Sequence, residues 1–242
     1  MRSREVRFVS CWRITAVLTV AAVIAWSGSA WAVTFDFTTL NGGAEGALAS
    51  SVTVNGVLAE GFADPSTPTT APLWLRNATH DHGLGVCSEG TTTSCISGGG
   101  NVNELSNQAY PEAIRLTLPT SSKWTSLWVS SLDSGGSNSA EKGILYWSNS
   151  ATFSAANPHF SFGYGDFGTL DEGNILTLPV ASGFDPTATY LWFVNDASNG
   201  TNNDYLVWKG ATTAVPEPAT LALLGAGLVG IRVIAHRRTR RA

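Results

Sequence analysis

The residues able to hold a cation or move a proton are sparse in this chain, and they cluster. Asp81, Asn101, Asn103 and Glu104 fall on either side of a Gly/Thr/Ser-rich excursion. Calcium takes oxygen ligands at about 2.4 Å from carboxylates, amide carbonyls and backbone. If the excursion folds out, these four side chains converge as a candidate calcium site. Their competing use is as turn formers and strand-end hydrogen bonders. The spacing is not that of an EF-hand. His80-Asp81-His82 places two imidazoles on one side of an extended chain, but the nearest further histidine in sequence, His159, is remote. Asp171-Glu172 reads as a solvated turn. Gly83-x-Gly85 lacks the third glycine and the helix of a dinucleotide fingerprint. The chain contains no G-x-S-x-G, H-E-x-x-H or P-loop. No catalytic residue is predicted, and the chain is read as a non-enzyme.

Aromatic residues are the second chemical resource. Trp74, Trp124, Trp128, Trp147, Trp192 and Trp208 lie in the middle of the chain. An exposed indole stacks on a sugar ring, because a pyranose face offers polarised C–H bonds to the π-system. Trp128, Trp147, Trp192 and Trp208 sit inside apolar runs and read as core or half-buried. Trp74, beside Pro72 in a loop-rich stretch, and Tyr164 are the freer stacking candidates.

These residues must be positioned by strands. Gly, Ser, Thr and Asn are abundant, and alternation recurs. Val33-Thr-Phe-Asp-Phe-Thr puts Val33, Phe35 and Phe37 on one face. Ser51-Val-Thr-Val-Asn-Gly-Val predicts a hairpin at Asn55-Gly56. Ala113-Ile-Arg-Leu-Thr-Leu directs Ile114, Leu116 and Leu118 inward. Runs opening at Ser126, Gly143, Ile175, Tyr190 and Tyr205 complete the set, with Gly/Ser/Asn/Pro punctuation between them. No 12-residue window between the termini has a helical period. The expectation is an all-β chain: a single jelly-roll-like β-sandwich.

Cys87 and Cys95, eight positions apart, predict a disulfide if the domain is exported. Residues 33–215 carry five Lys/Arg against sixteen Asp/Glu, a net charge of −11. Nucleic-acid binding needs a basic footprint and is excluded as a partner class. Cation binding or plain solubility suits such a surface.

The termini differ in kind. Arg2, Arg4, Arg7 and Arg13 precede an apolar run of 13 residues, Ile14 to Trp26, then Ala30-Trp31-Ala32. This is the n-region, h-region and cleavage site of a secretory signal peptide at 1–32, implying the Sec translocon. At the other end Pro216-Glu217-Pro218 precedes an apolar segment, Ala219 to Ala235, and a basic terminus. Such a helix rises about 25 Å, short for a hydrocarbon core of about 30 Å. The terminal arginines hold that end in the cytoplasm. The tail, 215–242, resembles the PEP-CTERM sorting signal. The resemblance implies recognition by an exosortase, cleavage near Pro216–Pro218, a transient inner-membrane anchor, and delivery to the envelope, surface or extracellular matrix of a Gram-negative bacterium that makes exopolysaccharide. The remaining domain is 33–214. Its Gly83-Leu-Gly-Val86, Asn101-Val-Asn-Glu104 and Asn202-Asn-Asp-Tyr-Leu-Val-Trp208 stretches are similar to a sandwich domain of exported proteins with this tail, which implies a fold and no activity.

Three functions fit, in this order: a structural or adhesive envelope component linked to exopolysaccharide, a calcium-assisted lectin-like module, and a glycan-active enzyme.

Overall fold

A computed structural model describes residues 31–67, 69–78, 81–88, 104–106, 111–132, 140–164, 174–176, 183–196 and 204–215, with Gly225 and Gly227. The chain divides into two units, one spanning Ala32–Ala214 and the other Met1–Trp31 with Val215–Ala242. The expected signal peptide falls almost wholly outside the described residues. So does the expected tail helix, apart from Gly225 and Gly227. Among the described residues, no helix is long and apolar enough to cross a membrane.

The unit 32–214 is two antiparallel sheets. The strands are β1 (Ala32–Asp36), β2 (Gly46–Ala47), β3 (Ser51–Val54), β4 (Val57–Phe62), β5 (Leu73–Asn77), β6 (His82–Val86), β7 (Leu105–Ser106), β8 (Ala113–Thr117), β9 (Ser122–Ser130), β10 (Lys142–Ser148), β11 (His159–Gly163), β12 (Asn174–Leu176), β13 (Tyr190–Asn195) and β14 (Asp204–Ala214). The first sheet runs β12-β9-β14-β6-β5-β2, with β1 and β7 also paired to β14. The second runs β11-β10-β13-β8-β4-β3. The chain crosses between sheets at β2–β3, β4–β5, β7–β8, β8–β9, β9–β10, β11–β12, β12–β13 and β13–β14, so the two faces of the sandwich interleave along the sequence.

Side-chain alternation builds the core. Ile114, Leu116 and Leu118 point inward from β8, as their spacing predicts, and meet Leu73, Leu75, Leu84, Leu127 and Val129 of the opposite sheet. Asn55 and Gly56 both take positive φ, 49° and 84°. That is the left-handed geometry that a two-residue hairpin demands and Asn-Gly supplies. Phe35 is buried on β1, whereas Val33 is 43% exposed. Phe37 lies past the strand end, in 3-10 turns over Phe37–Gly43. Asp36 caps those turns by accepting from the Thr38 amide at 3.0 Å, and Phe37 packs on Phe35 at 5.4 Å.

β6 is the strand least evident from composition, because Gly83 and Gly85 are poor strand residues. Its glycine is needed for contact. β6 meets β14 at the single pair Leu84–Val207. A Cβ at Gly83 would stand 2.5 Å from the Val207 carbonyl oxygen, and the residue has φ +133°. Only glycine lets the two backbones approach there.

Candidate functional site

One end of the sandwich gathers buried polar groups. Register sends the end of β9 and the start of β14 together, with Ser130 opposite Leu206. On the second sheet, Asn195 ends β13 opposite Gly143 of β10. The sheets are tied here by Asn195 Nδ2 donating to the Leu105 carbonyl at 2.8 Å. A second tie is the Tyr205 hydroxyl donating to the Val194 carbonyl at 3.1 Å. Glu104, Glu112, Glu141, Asn195 and Asp204 are all buried.

Arg76, near the end of β5, is the organising charge. Its Nη2 donates to Asp81 Oδ2 at 2.5 Å, and its Nη1 donates to Glu104 Oε1. Ser131, held at φ +62°, donates its hydroxyl toward Asp81 Oδ1 at 3.0 Å and Glu104 Oε1 at 3.3 Å. Ser130 fastens the same corner. Its hydroxyl accepts from the His82 amide at 3.0 Å and donates to the His82 carbonyl at 2.5 Å.

Glu104 is only 3% exposed. Burial pushes its carboxyl up to about 10, helped by a hydrogen bond to Asp204 and that group's negative charge, against the opposing pull of Arg76. The desolvation cost of an ion at this depth outweighs one cation at partial exposure. Glu104 therefore keeps its proton and donates it in a hydrogen bond to Asp204.

The expected pair Asp81 and Glu104 does come together, through Arg76 and Ser131. Asn101, Asn103 and Cys95 lie outside the described residues. Arg76 supplies between the two carboxylates the positive charge a calcium ion would bring. Among the described residues, no group of three or more His, Cys, Asp or Glu is arranged to hold a metal. Sequence reading missed Arg76, Ser131 and Asp204. The available signal was a cation inside an apolar strand, Leu73-Trp-Leu-Arg76, in a region with only five basic residues.

Of the two aromatic candidates, Trp74 is not free. It belongs to β5, is 6% exposed, and packs with Cys87. A loop reading of its neighbourhood failed because β2 and β6 flank it on either side. Tyr164 is half-buried just past β11, its amide donating to the Glu141 carbonyl at 3.1 Å.

A second concentration of chemistry lies on the outer face of the six-stranded sheet. Register aligns Glu60, Arg115, Trp192, Tyr146 and His159 as one row across β4, β8, β13, β10 and β11. Arg115 pairs with Glu60 Oε2 through Nε at 3.0 Å and Nη2 at 2.6 Å. Its guanidinium lies over Phe62 at 5.2 Å, Tyr190 at 5.3 Å and Trp192 at 5.2 Å. Phe153, from the link between β10 and β11, stands edge-on to Tyr146 at 5.0 Å and to Trp192 at 5.5 Å.

The fold defines an all-β sandwich protein whose buried polar groups are bonded to one another at one end. The terminus says more: residues 214–241 match the family description PEP-CTERM protein-sorting motif. The chain carries a PEP-CTERM sorting motif, which implies an exported, envelope-associated protein processed by an exosortase. No curated protein and no solved structure matches the chain.

Proposed function

We propose that the sandwich is a non-catalytic structural or adhesive component of the cell surface or extracellular matrix, retained with exopolysaccharide after sorting. The sorting motif at 214–241 carries this reading. It is supported by the polar end, where Arg76, Asp81, Glu104 and Ser131 are engaged with one another. In this reading residues 1–32 are a signal peptide, the Sec translocon exports the chain, the inner membrane of a Gram-negative cell holds the precursor transiently, and Cys87 pairs with Cys95. The convergence of Asp81 and Glu104 favours one second reading, a calcium-assisted lectin, in which Asn101 and Asn103 complete the site.

The test follows the protein in its producing cells, with and without the exosortase, and co-sediments the processed form with the producer's exopolysaccharide in calcium and in chelator. The reading expects loss of surface material without the exosortase, and co-sedimentation that survives chelator. Co-sedimentation abolished by chelator favours the lectin. No co-sedimentation in either condition refutes the link to exopolysaccharide.

A further inference from the structure

The outer face of the six-stranded sheet holds more polar capacity than the fold uses. Trp192 is 2% exposed, yet its Nε1 has no hydrogen-bond partner, and neither do Thr117 Oγ1 and Asn157 Nδ2. All three belong to this face. Thr117 is one row from Arg115, opposite Tyr190. The Trp147 amide donates to the Pro158 carbonyl at 3.1 Å, which carries the β10–β11 register on to Asn157. A buried donor or acceptor left unmade is costly, so three on one face are a standing demand for a polar ligand.

The cover over this face is slight. Between Asn149 and Pro158 only Phe153 and Asn157 are half-buried, and the rest is exposed. The segment is fastened by Arg115 Nη1 donating to the Ala151 carbonyl at 2.5 Å. A second fastening is Asn149 Oδ1 accepting from the Thr189 amide at 2.9 Å. Phe153 packs on the Trp192–Tyr146 pair, outside the main core, with Phe62 at 5.0 Å from Trp192 on another side.

We infer that this face is a saccharide-binding site closed by Phe153, and that its ligand is a neutral glycan. The aromatic platform suits the apolar face of a pyranose, and Trp192 Nε1, Asn157 Nδ2 and Thr117 Oγ1 suit its hydroxyls. Charge selects against a polyanion. Arg115 is already neutralised by Glu60, and residues 33–215 carry a net charge of −11, which repels uronate or sulfate chains. The inference deepens the envelope reading above, on which it rests for the presence of glycan.

The test titrates the processed protein and its Phe153→Ala and Phe153→Ala/Trp192→Phe variants. The probes are cellohexaose, mannohexaose, neutral oligosaccharides released from the producer's exopolysaccharide, and polygalacturonate. Tryptophan fluorescence and calorimetry report binding, and unfolding midpoints confirm that each variant folds. Removing the Phe153 ring should tighten neutral-oligosaccharide binding about tenfold, the factor for a face open in about one molecule in ten. Trp192→Phe keeps a ring but deletes the donor, and should weaken binding about fivefold to tenfold, as loss of one hydrogen bond does. No saturable binding of any neutral probe by folded Phe153→Ala overturns the inference. So does binding indifferent to Trp192→Phe, or binding of polygalacturonate alone. Failure of the envelope reading appears separately, as loss of co-sedimentation or of exosortase dependence, while oligosaccharide binding by Phe153→Ala stands or falls by itself.

Discussion

Glu104→Gln should remove a pH dependence that is built into the polar end. In the folded chain burial and Asp204 raise the Glu104 carboxyl from 4.5 to about 10. Between those values the folded protein holds a proton that the unfolded chain has released. The sign follows: stability is full below pH 4.5 and falls as pH rises toward the folded value. One proton gives a slope of at most about 1.4 kcal/mol per pH unit, so about 3 kcal/mol is lost between pH 6 and pH 8. Glutamine keeps the shape, donates an N–H toward Asp204 and accepts from Arg76, with no proton to lose. The variant should match the wild type near pH 5 and exceed it by about 4 kcal/mol at pH 8, a rise in Tm of about 8–16 °C for a domain of this size. Urea unfolding followed by tryptophan fluorescence from pH 5 to pH 8.5, at constant ionic strength, measures the difference directly. Comparing the two proteins cancels the self-repulsion of the other carboxylates, which both share. Parallel slopes in wild type and variant would refute the reasoning, as would a variant less stable at pH 8. Repeating the series in millimolar calcium tests the second functional reading: a cation bound at Asp81 and Glu104 displaces the proton, flattens the wild-type profile, and loses its hold in the variant.

Three further outcomes are expected. Arg76→Ala leaves Asp81 and Glu104 without their cation and should destabilise by about 2–3 kcal/mol, below the figure for a fully buried pair because Arg76 is 17% exposed; Arg76→Lys should recover part of the loss in the same denaturation assay. Gly83→Ala forces a Cβ to within 2.5 Å of the Val207 carbonyl oxygen at φ +133°, and should cost at least about 3 kcal/mol, read as a shifted urea midpoint with unchanged slope. Cys87→Ser should cost about 2–3 kcal/mol under oxidising conditions and little in reductant, with alkylation and mass measurement on the wild type showing both cysteines protected until reduction.

Much of this molecule was legible from order of residues alone. Alternation in Ala113-Ile-Arg-Leu-Thr-Leu assigned the inward face of β8, because a strand's side chains alternate with period two whatever its neighbours. Asn55-Gly56 announced its turn because few other dipeptides accept two positive φ values. The sorting tail was readable because membrane and exosortase recognise a linear pattern. What order could not supply was which strands become neighbours. Trp74 looked free until β2 and β6 flanked it. Asp81 and Glu104 were suspected together, but the guanidinium joining them comes from β5, and Asp204 joins from β14, far along the chain. The row from Glu60 to His159 draws each member from a different strand. Local sequence determined most of the strands, the inward face of β8 and the sorting motif. Tertiary structure alone decided which carboxyl keeps its proton and which aromatics share a surface, because those depend on sheet register and on depth from water.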